Sequence, residues 1–237
     1  MFCYLTQKAQ KKFGAVKLKK ELPPLKIIDS TVILLELKVA PHLKMDSERS
    51  GIKISTLYNG KYPEKINIVK GNVNDRKCID SMFEDKSSIY IFDRGYYSYK
   101  LYDKLTKDRI KFITRGVTNA VIMEERVINA YPQKDIYFIT NIFDLSTEDI
   151  INIYKKRWEI ELFFKWIKEN LRIKRFIGYN ENAIKIQIFA ALISYLLIYI
   201  NGKMLNVKFS MLTLTRIIRS NLLEFFSEDF KEVIRAG

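Results

Sequence analysis

The chain has 237 residues, 48% of them hydrophobic, and carries 41 Lys and Arg against 27 Asp and Glu, a formal charge of +14. That length and apolar content allow one good core, or one core with a small inserted subdomain, and exclude a disordered chain. The basic balance favours a polyanionic partner, nucleic acid or an anionic membrane surface.

Cys3 and Cys78 are isolated thiols without metal-ligand spacing, so neither a disulfide framework nor a zinc site is expected, and a reducing, cytoplasmic compartment fits. His42 is the single histidine and stands beside Pro41, a poor basis for imidazole catalysis. Met1–Phe13 lacks the apolar core of a signal peptide. The longest apolar run, 184–200, is interrupted by Lys185 and Gln187 and falls short of the roughly 20 residues that span a bilayer. It reads as a buried helix, and no membrane association is expected.

In chain order, residues 1–24 form a basic, helical lead-in charged by Lys8, Lys11, Lys12, Lys17, Lys19 and Lys20 and stopped by Pro23-Pro24. Residues 25–37 are β-branched and apolar, a buried strand with Asp29 inside it. An acid there is costly unless paired, hydrogen-bonded or bound to a cation. Strands follow at 51–58 and 63–70, joined by a turn at Asn59-Gly60. Asn72–Asp75 reads as the cap of a helix reaching about Glu84. A short strand, 88–92, then ends on Asp93 before Gly95. A helix over 96–107 and a strand at 110–114 come next, and short strands at 120–129 and 136–140 make a small β-rich insertion at about 116–145. Ser146-Thr-Glu-Asp149 resembles a capping box and launches a helix. Further helices are expected at 182–201 and 209–226.

The helix carrying residues 154–168 holds the most information. At about 100° per residue, Ile153, Ile160, Phe163, Phe164, Ile167 and Leu171 share an apolar arc, and Tyr154, Arg157, Glu161 and Lys168 lie within roughly 60° of one another at its edge. A solvated face with spaced ion pairs would give this pattern. So would a metal-holding carboxylate whose cationic neighbours grip phosphate oxygens. The strand order puts Asp29, Asp93 and Glu161 on separate elements that can converge at one sheet edge. Such a trio can hold two divalent cations about 3.5–4 Å apart, and Mg²⁺ prefers oxygen ligands of this kind.

The spacing Tyr154, Arg157, Glu161, Lys168 resembles the Y-R-E-K signature of bacterial insertion-sequence transposases of the IS-four group. Ile28-Asp29-Ser30-Thr31 and Phe92-Asp93-Arg94-Gly95-Tyr96 resemble the motifs around that family's first two acids. The likeness continues through Gly51-Ile52-Lys53, residues 71–76 and residues 165–174, and covers about 25–200. The resemblance implies an α/β, RNase H-like mixed sheet flanked by helices over 25–237, performing DDE-type cut-and-paste chemistry. It implies Asp29, Asp93 and Glu161 as metal ligands for two Mg²⁺ ions, with Mn²⁺ as a substitute. It places Tyr154, Arg157 and Lys168 on DNA phosphates at the transposon end, where strand exchange commonly passes through a hairpin. The partners implied are double-stranded DNA, at transposon ends and target, and a second copy of the chain when assembled on DNA.

Three departures stand beside the likeness. The first acid arrives at position 29, so most of the family's N-terminal recognition region is expected to be missing. The interval from Asp93 to Glu161 is short, and Ser55 and Asn74 stand where relatives often have His. The alternative is therefore a truncated, non-catalytic DNA-binding remnant. Lys155, Lys156, Lys165, Arg172, Lys174 and Arg175 are expected to contribute phosphate contacts as a group. Trp166 reads as a packing residue, as do Tyr96 and Tyr97, whereas Trp158 is open between packing and base stacking.

Overall fold

The computed structural model describes residues 1–14, 22–116, 137–170, 176–206 and 208–220. Its elements are α1 (Phe2–Phe13), β1 (Leu25–Glu36), β2 (Arg49–Tyr58), β3 (Pro63–Lys70), α2 (Arg76–Ile79), β4 (Ile89–Phe92), α3 (Tyr99–Lys107), β5 (Lys111–Arg115), β6 (Phe138–Thr140), α4 (Thr147–Lys155), α5 (Trp158–Asn170), α6 (Glu181–Met204) and α7 (Met211–Ser220). The expected strand at 120–129 and the end of the last helix lie outside the described residues. The chain divides into two compact units, residues 15–165 and residues 1–14 with 166–237.

The larger unit is built on a six-stranded sheet in the order β3-β2-β1-β4-β5-β6. β1, β2 and β3 form an antiparallel meander, β4 joins β1 in parallel, β5 joins β4 in parallel, and β6 closes the far edge antiparallel to β5. This is the mixed sheet expected from the sequence. The tight pairing of the first hairpin comes from its turn, where the Asn59 side-chain oxygen accepts from the amides of Lys61 and Tyr62 at 3.0 Å each and Gly60 takes φ 88°.

One face of the sheet packs on an aromatic cluster. Phe92 stacks on Phe112 and Tyr102 and meets Phe83 and Tyr96 edge-on, with Ile28, Leu57, Leu101 and Leu105 completing the core. The other face takes α5, where Phe163 stacks on Tyr58 at 5.2 Å between ring centroids. Ile153, Ile160, Phe163, Phe164 and Ile167 are all buried, the arc read from the sequence; Leu171 lies outside the described residues.

Two expected helices are shorter than the sequence suggested. The segment after residue 75 forms one turn of α-helix and one 3₁₀ turn, Asp80–Met82. Asp75 occupies the N-cap position but makes no capping bond, because Ser30 and Lys53 engage its carboxylate. The segment after Asp93 starts with a 3₁₀ turn, Arg94–Tyr96, and α3 begins only after Ser98 caps it.

In the smaller unit, α6 is long and apolar enough to cross a membrane by length and composition. It buries Ile184, Ile188, Leu192 and Leu196, each 0% exposed, and packs on α1 and α7, while Ile186 and Leu197 on the same helix are exposed. Phe2 meets Phe189 and Phe13 meets Tyr199 edge-on. Trp166 is 5% exposed, packs on Tyr195, and donates its indole N–H to Thr215 Oγ1 at 3.0 Å, the packing role read for it.

Gly51 and Gly71 close around Met45, and the Gly71 amide donates to the Gly51 carbonyl at 2.9 Å. A Cβ on Gly51 would lie 2.9 Å from the Ile33 carbonyl oxygen, whereas one on Gly71 would meet only Met45 side-chain atoms. Backbone in a central ladder cannot yield, but a thioether can turn. Gly51→Ala is expected to cost about 1–3 kcal/mol, read as a lowered urea midpoint, and Gly71→Ala less. Met45→Ala should relieve the second substitution and leave the first unrelieved.

Candidate functional site

Asp29 and Asp93 reach one edge of the sheet through strand register. β1 and β4 run in parallel and their last ladder pair is Ile28 with Phe92, so the two acids that follow emerge side by side. β5 ends in step, its Thr114 paired with Phe92, which delivers Arg115 to the same edge.

The third acid arrives from the other layer. Ser146 caps α4 by accepting from the Asp149 amide at 3.1 Å. α4 and α5 are not the one continuous helix expected from the periodicity. The amides of Lys156, Arg157 and Ile160 bond to carbonyls three residues back, Ile153, Tyr154 and Arg157, at 3.0, 2.9 and 3.2 Å. This 3₁₀-like winding breaks the helix at Lys156-Arg157. Tyr154 therefore lies in the last turn of α4, Arg157 occupies the turn between the helices, and Glu161 lies in the first turns of α5. From this turn Arg157 makes a double ion pair.

Arg157 Nη1 donates to Asp29 Oδ2 at 3.0 Å and Nη2 to Glu161 Oε1 at 2.5 Å. One guanidinium thus joins an acid of β1 to an acid of α5, across 128 residues of sequence in the first case. Its carbon lies 6.0 Å from the Tyr154 ring centroid, and Tyr154 is braced edge-on by Phe138 at 4.9 Å. Burial alone would lower the basicity of Arg157. The neighbouring Tyr154, Asp29 and Asp93 outweigh it and raise the guanidinium above its ordinary value.

Asp29 is held on both oxygens, by Arg157 and by the Ser30 amide at 2.8 Å to Oδ1. Its side chain is 18% exposed. Burial nonetheless lifts its carboxyl from 3.8 to about 6, against the lowering by Ser30 and Arg157 and with a further push from the charges of Asp93 and Glu161. Burial likewise pushes the Tyr154 phenol up to about 12, so it stays a proton-bearing donor at neutral pH.

Among the described residues, the site thus gathers three acids around the Arg157 guanidinium, with Arg115 at the same edge. Among the described residues, no three acid, thiol or imidazole side chains stand close enough to share a metal ion as placed; Arg157 lies between Asp29 and Glu161. The donor set fits a hard divalent cation in kind, carboxylate oxygens around a position already chosen by a cation. Lys165 is exposed on α5, and Lys168 is exposed in its last turn, beyond the boundary of the larger unit. Trp158 is 60% exposed, so it is not a packing residue. Arg172, Lys174 and Arg175 fall outside the described residues. Two groups escaped the sequence reading: Arg115, whose charge acts on Tyr154, and the Ser30, Lys53 and Asp75 cluster beneath Asp29. The signal for Arg115 was available, since it ends an apolar strand as Asp93 does.

The raised Asp29 value has a stability consequence. A carboxyl with a folded value above its unfolded one contributes stability that is complete below about pH 4 and lost as pH rises through about 6. Asp29→Asn removes that loss. The metal-free variant should be more stable than the native chain by about 3 kcal/mol at pH 8, and equal to it near pH 4, in urea titrations at the two pH values.

Comparisons with known proteins give the family of the chain. The model of the family described as Transposase DDE domain matches residues 20–197. The y4zB protein of Sinorhizobium fredii, described as a candidate transposase, is 27% identical over 84% of this chain and 67% of its own length. A probable transposase for insertion sequence element IS5377 of Geobacillus stearothermophilus is 24% identical over 74% of this chain and 56% of its own. A candidate transposase for insertion sequence element IS4SA of Synechocystis is 29% identical, over 72% and 58%. The chain thus spans between about half and two thirds of the length of these relatives. Among solved structures, the piggyBac transposase in a synaptic complex with hairpin DNA superposes with a TM-score of 0.53 at 12% identity, over 89% of this chain and 54% of that one. The fold is therefore RNase H-like, as in that enzyme. With the family model matched over most of this chain, the chain belongs to the transposase DDE domain family.

Proposed function

We propose that the chain is the catalytic domain of a DNA transposase, cutting phosphodiester bonds at transposon ends and joining them to target DNA. The observation that supports this most is the Arg157 bridge between Asp29 and Glu161, in which side chains of a sheet strand and a late helix converge on a cation at the edge where Asp93 also emerges. Family members generally use divalent metal ions, and Asp29, Asp93 and Glu161 are the residues that would hold two Mg²⁺ ions here, or Mn²⁺ in their place. When bound, such ions activate the attacking water or 3′-hydroxyl and stabilise the departing oxygen.

The other groups bind and orient DNA. Arg157 presents a planar fork suited to two phosphate oxygens, and leaves one or both acids when it turns to them. Tyr154 keeps its proton and donates from the same edge. Lys165 and Lys168 extend the positive stripe along α5, and the formal charge of +14 draws the duplex in. Trp158, exposed beside Arg157, offers a stacking surface for a base. The domain so defined covers 25–237 with a small insertion at about 116–145. It works on double-stranded DNA in the bacterial cytoplasm, as a dimer across two transposon ends.

A pre-cleaved transposon end with Mn²⁺ tests this. Strand transfer is expected from the native chain and should fall to background in Asp29→Ala, Asp93→Ala and Glu161→Ala, with salt-sensitive DNA binding retained in each. Arg157→Gln should weaken binding across sequences and lower the salt slope by about one. Full strand transfer by all three acid variants would overturn the assignment. Binding without strand transfer by the native chain would instead favour a DNA-binding remnant.

A further inference from the structure

β1 has two ladder neighbours only as far as Ile28. β4 stops at the Ile28–Phe92 pair, while β2 continues through Asp29–Thr56, Ser30–Ser55 and Val32–Lys53. Asp29 and Ser30 are thus the first residues of β1 with one flank open. An acid at such a place needs another restraint to keep its carboxylate in one position.

Strand alternation points Asp29 and Ser30 to opposite faces. Asp29 faces Arg157. Ser30 shares the face of Ile28, toward the aromatic core. There the Ser30 hydroxyl donates to Asp75 Oδ1 at 2.7 Å. Lys53 Nζ lies 3.0 Å from that same oxygen, its side chain 9% exposed, and also donates to the Val73 carbonyl at 2.6 Å. On the other side of the strand the Ser30 amide holds Asp29 Oδ1. The connection runs from Lys53 through Asp75 and Ser30 to Asp29, and it begins where the β4 ladder ends. Asp75, itself half-buried, gives up a helix cap to take part, and the buried Lys53 ammonium would be costly to hold without that partner.

We infer that Asp75 is a positioning residue for the Asp29 carboxylate, acting through Ser30, with Lys53 as its counter-ion. The inference rests on the reading of Asp29 as a cation-binding acid and extends it to the face of the sheet away from the reaction. Side chains that orient a ligating carboxylate change metal affinity by about 10–100-fold when removed.

Mn²⁺ binding to the purified chain, by calorimetry and without DNA, is the test, with urea midpoints measured alongside. Ser30→Ala and Asp75→Asn should each weaken Mn²⁺ binding by about tenfold or more. Ser30→Thr, which restores the hydroxyl, should bind as the native chain does. Asp29→Asn is the control and should abolish binding. Native affinity in Ser30→Ala and Asp75→Asn, with binding lost in Asp29→Asn, overturns the role of Asp75 and leaves the site intact. So does a loss that follows the urea midpoint and is not recovered by Ser30→Thr. No Mn²⁺ binding by the native chain, or unchanged binding in Asp29→Asn, overturns the site itself and the inference with it. Should the unpaired Lys53 prevent Asp75→Asn from folding, the Ser30→Ala and Ser30→Thr pair decides alone.

Discussion

The Arg157 guanidinium, shared between Asp29 and Glu161, is the contact that organises the polar edge of the larger unit. Carboxylates brought together beneath a low-dielectric layer repel one another and lose hydration, and each loss has to be offset locally. For Asp29, the Arg157 cation does so incompletely. Asp29 stays hard to ionise even with an arginine and a backbone amide on its two oxygens, so the edge retains an appetite for more positive charge. Stable folds rarely leave such a deficit except where binding or chemistry will use it.

The remainder of that unit holds the deficit in place. A parallel pair of strands fixes Asp29 and Asp93 as lateral neighbours. Phe92, fully buried among stacked rings, anchors the residue immediately before Asp93. Phe163 on Tyr58 seats α5 against the opposite face, and the tight turn ahead of α5 aims Arg157 at the strand ends. Packing on both sides of the sheet therefore serves a few polar atoms at its rim.

Much of this was legible in the chain itself. β-Branched runs broken by single acids marked β1 and β4, and the apolar arc of residues 153–167 marked the buried side of α4 and α5. The break at Lys156-Arg157 was not legible, because apolar periodicity persists through a single 3₁₀ turn. The short α2 was missed for another reason: Asp75 looks like a cap in sequence, but its carboxylate is engaged by residues far away in the chain. The partners of Asp29 on its far side were equally hidden, since Ser30, Lys53 and Asp75 form a group only once β1 and β2 are in register. Local pattern reports what a residue prefers, and distant partners decide what it does.

The site's parts are also separated in time of synthesis. Asp29 and Asp93 lie in the first half of the polypeptide, on strands that pair with each other, whereas Arg157 and Glu161 come from a turn and helix made much later. A nascent chain that has cleared the ribosome only through β5 holds two acids with neither the third nor the arginine that joins them. An incomplete translation product thus lacks half of the polar cluster at the sheet edge, a consequence that follows from the order of elements alone.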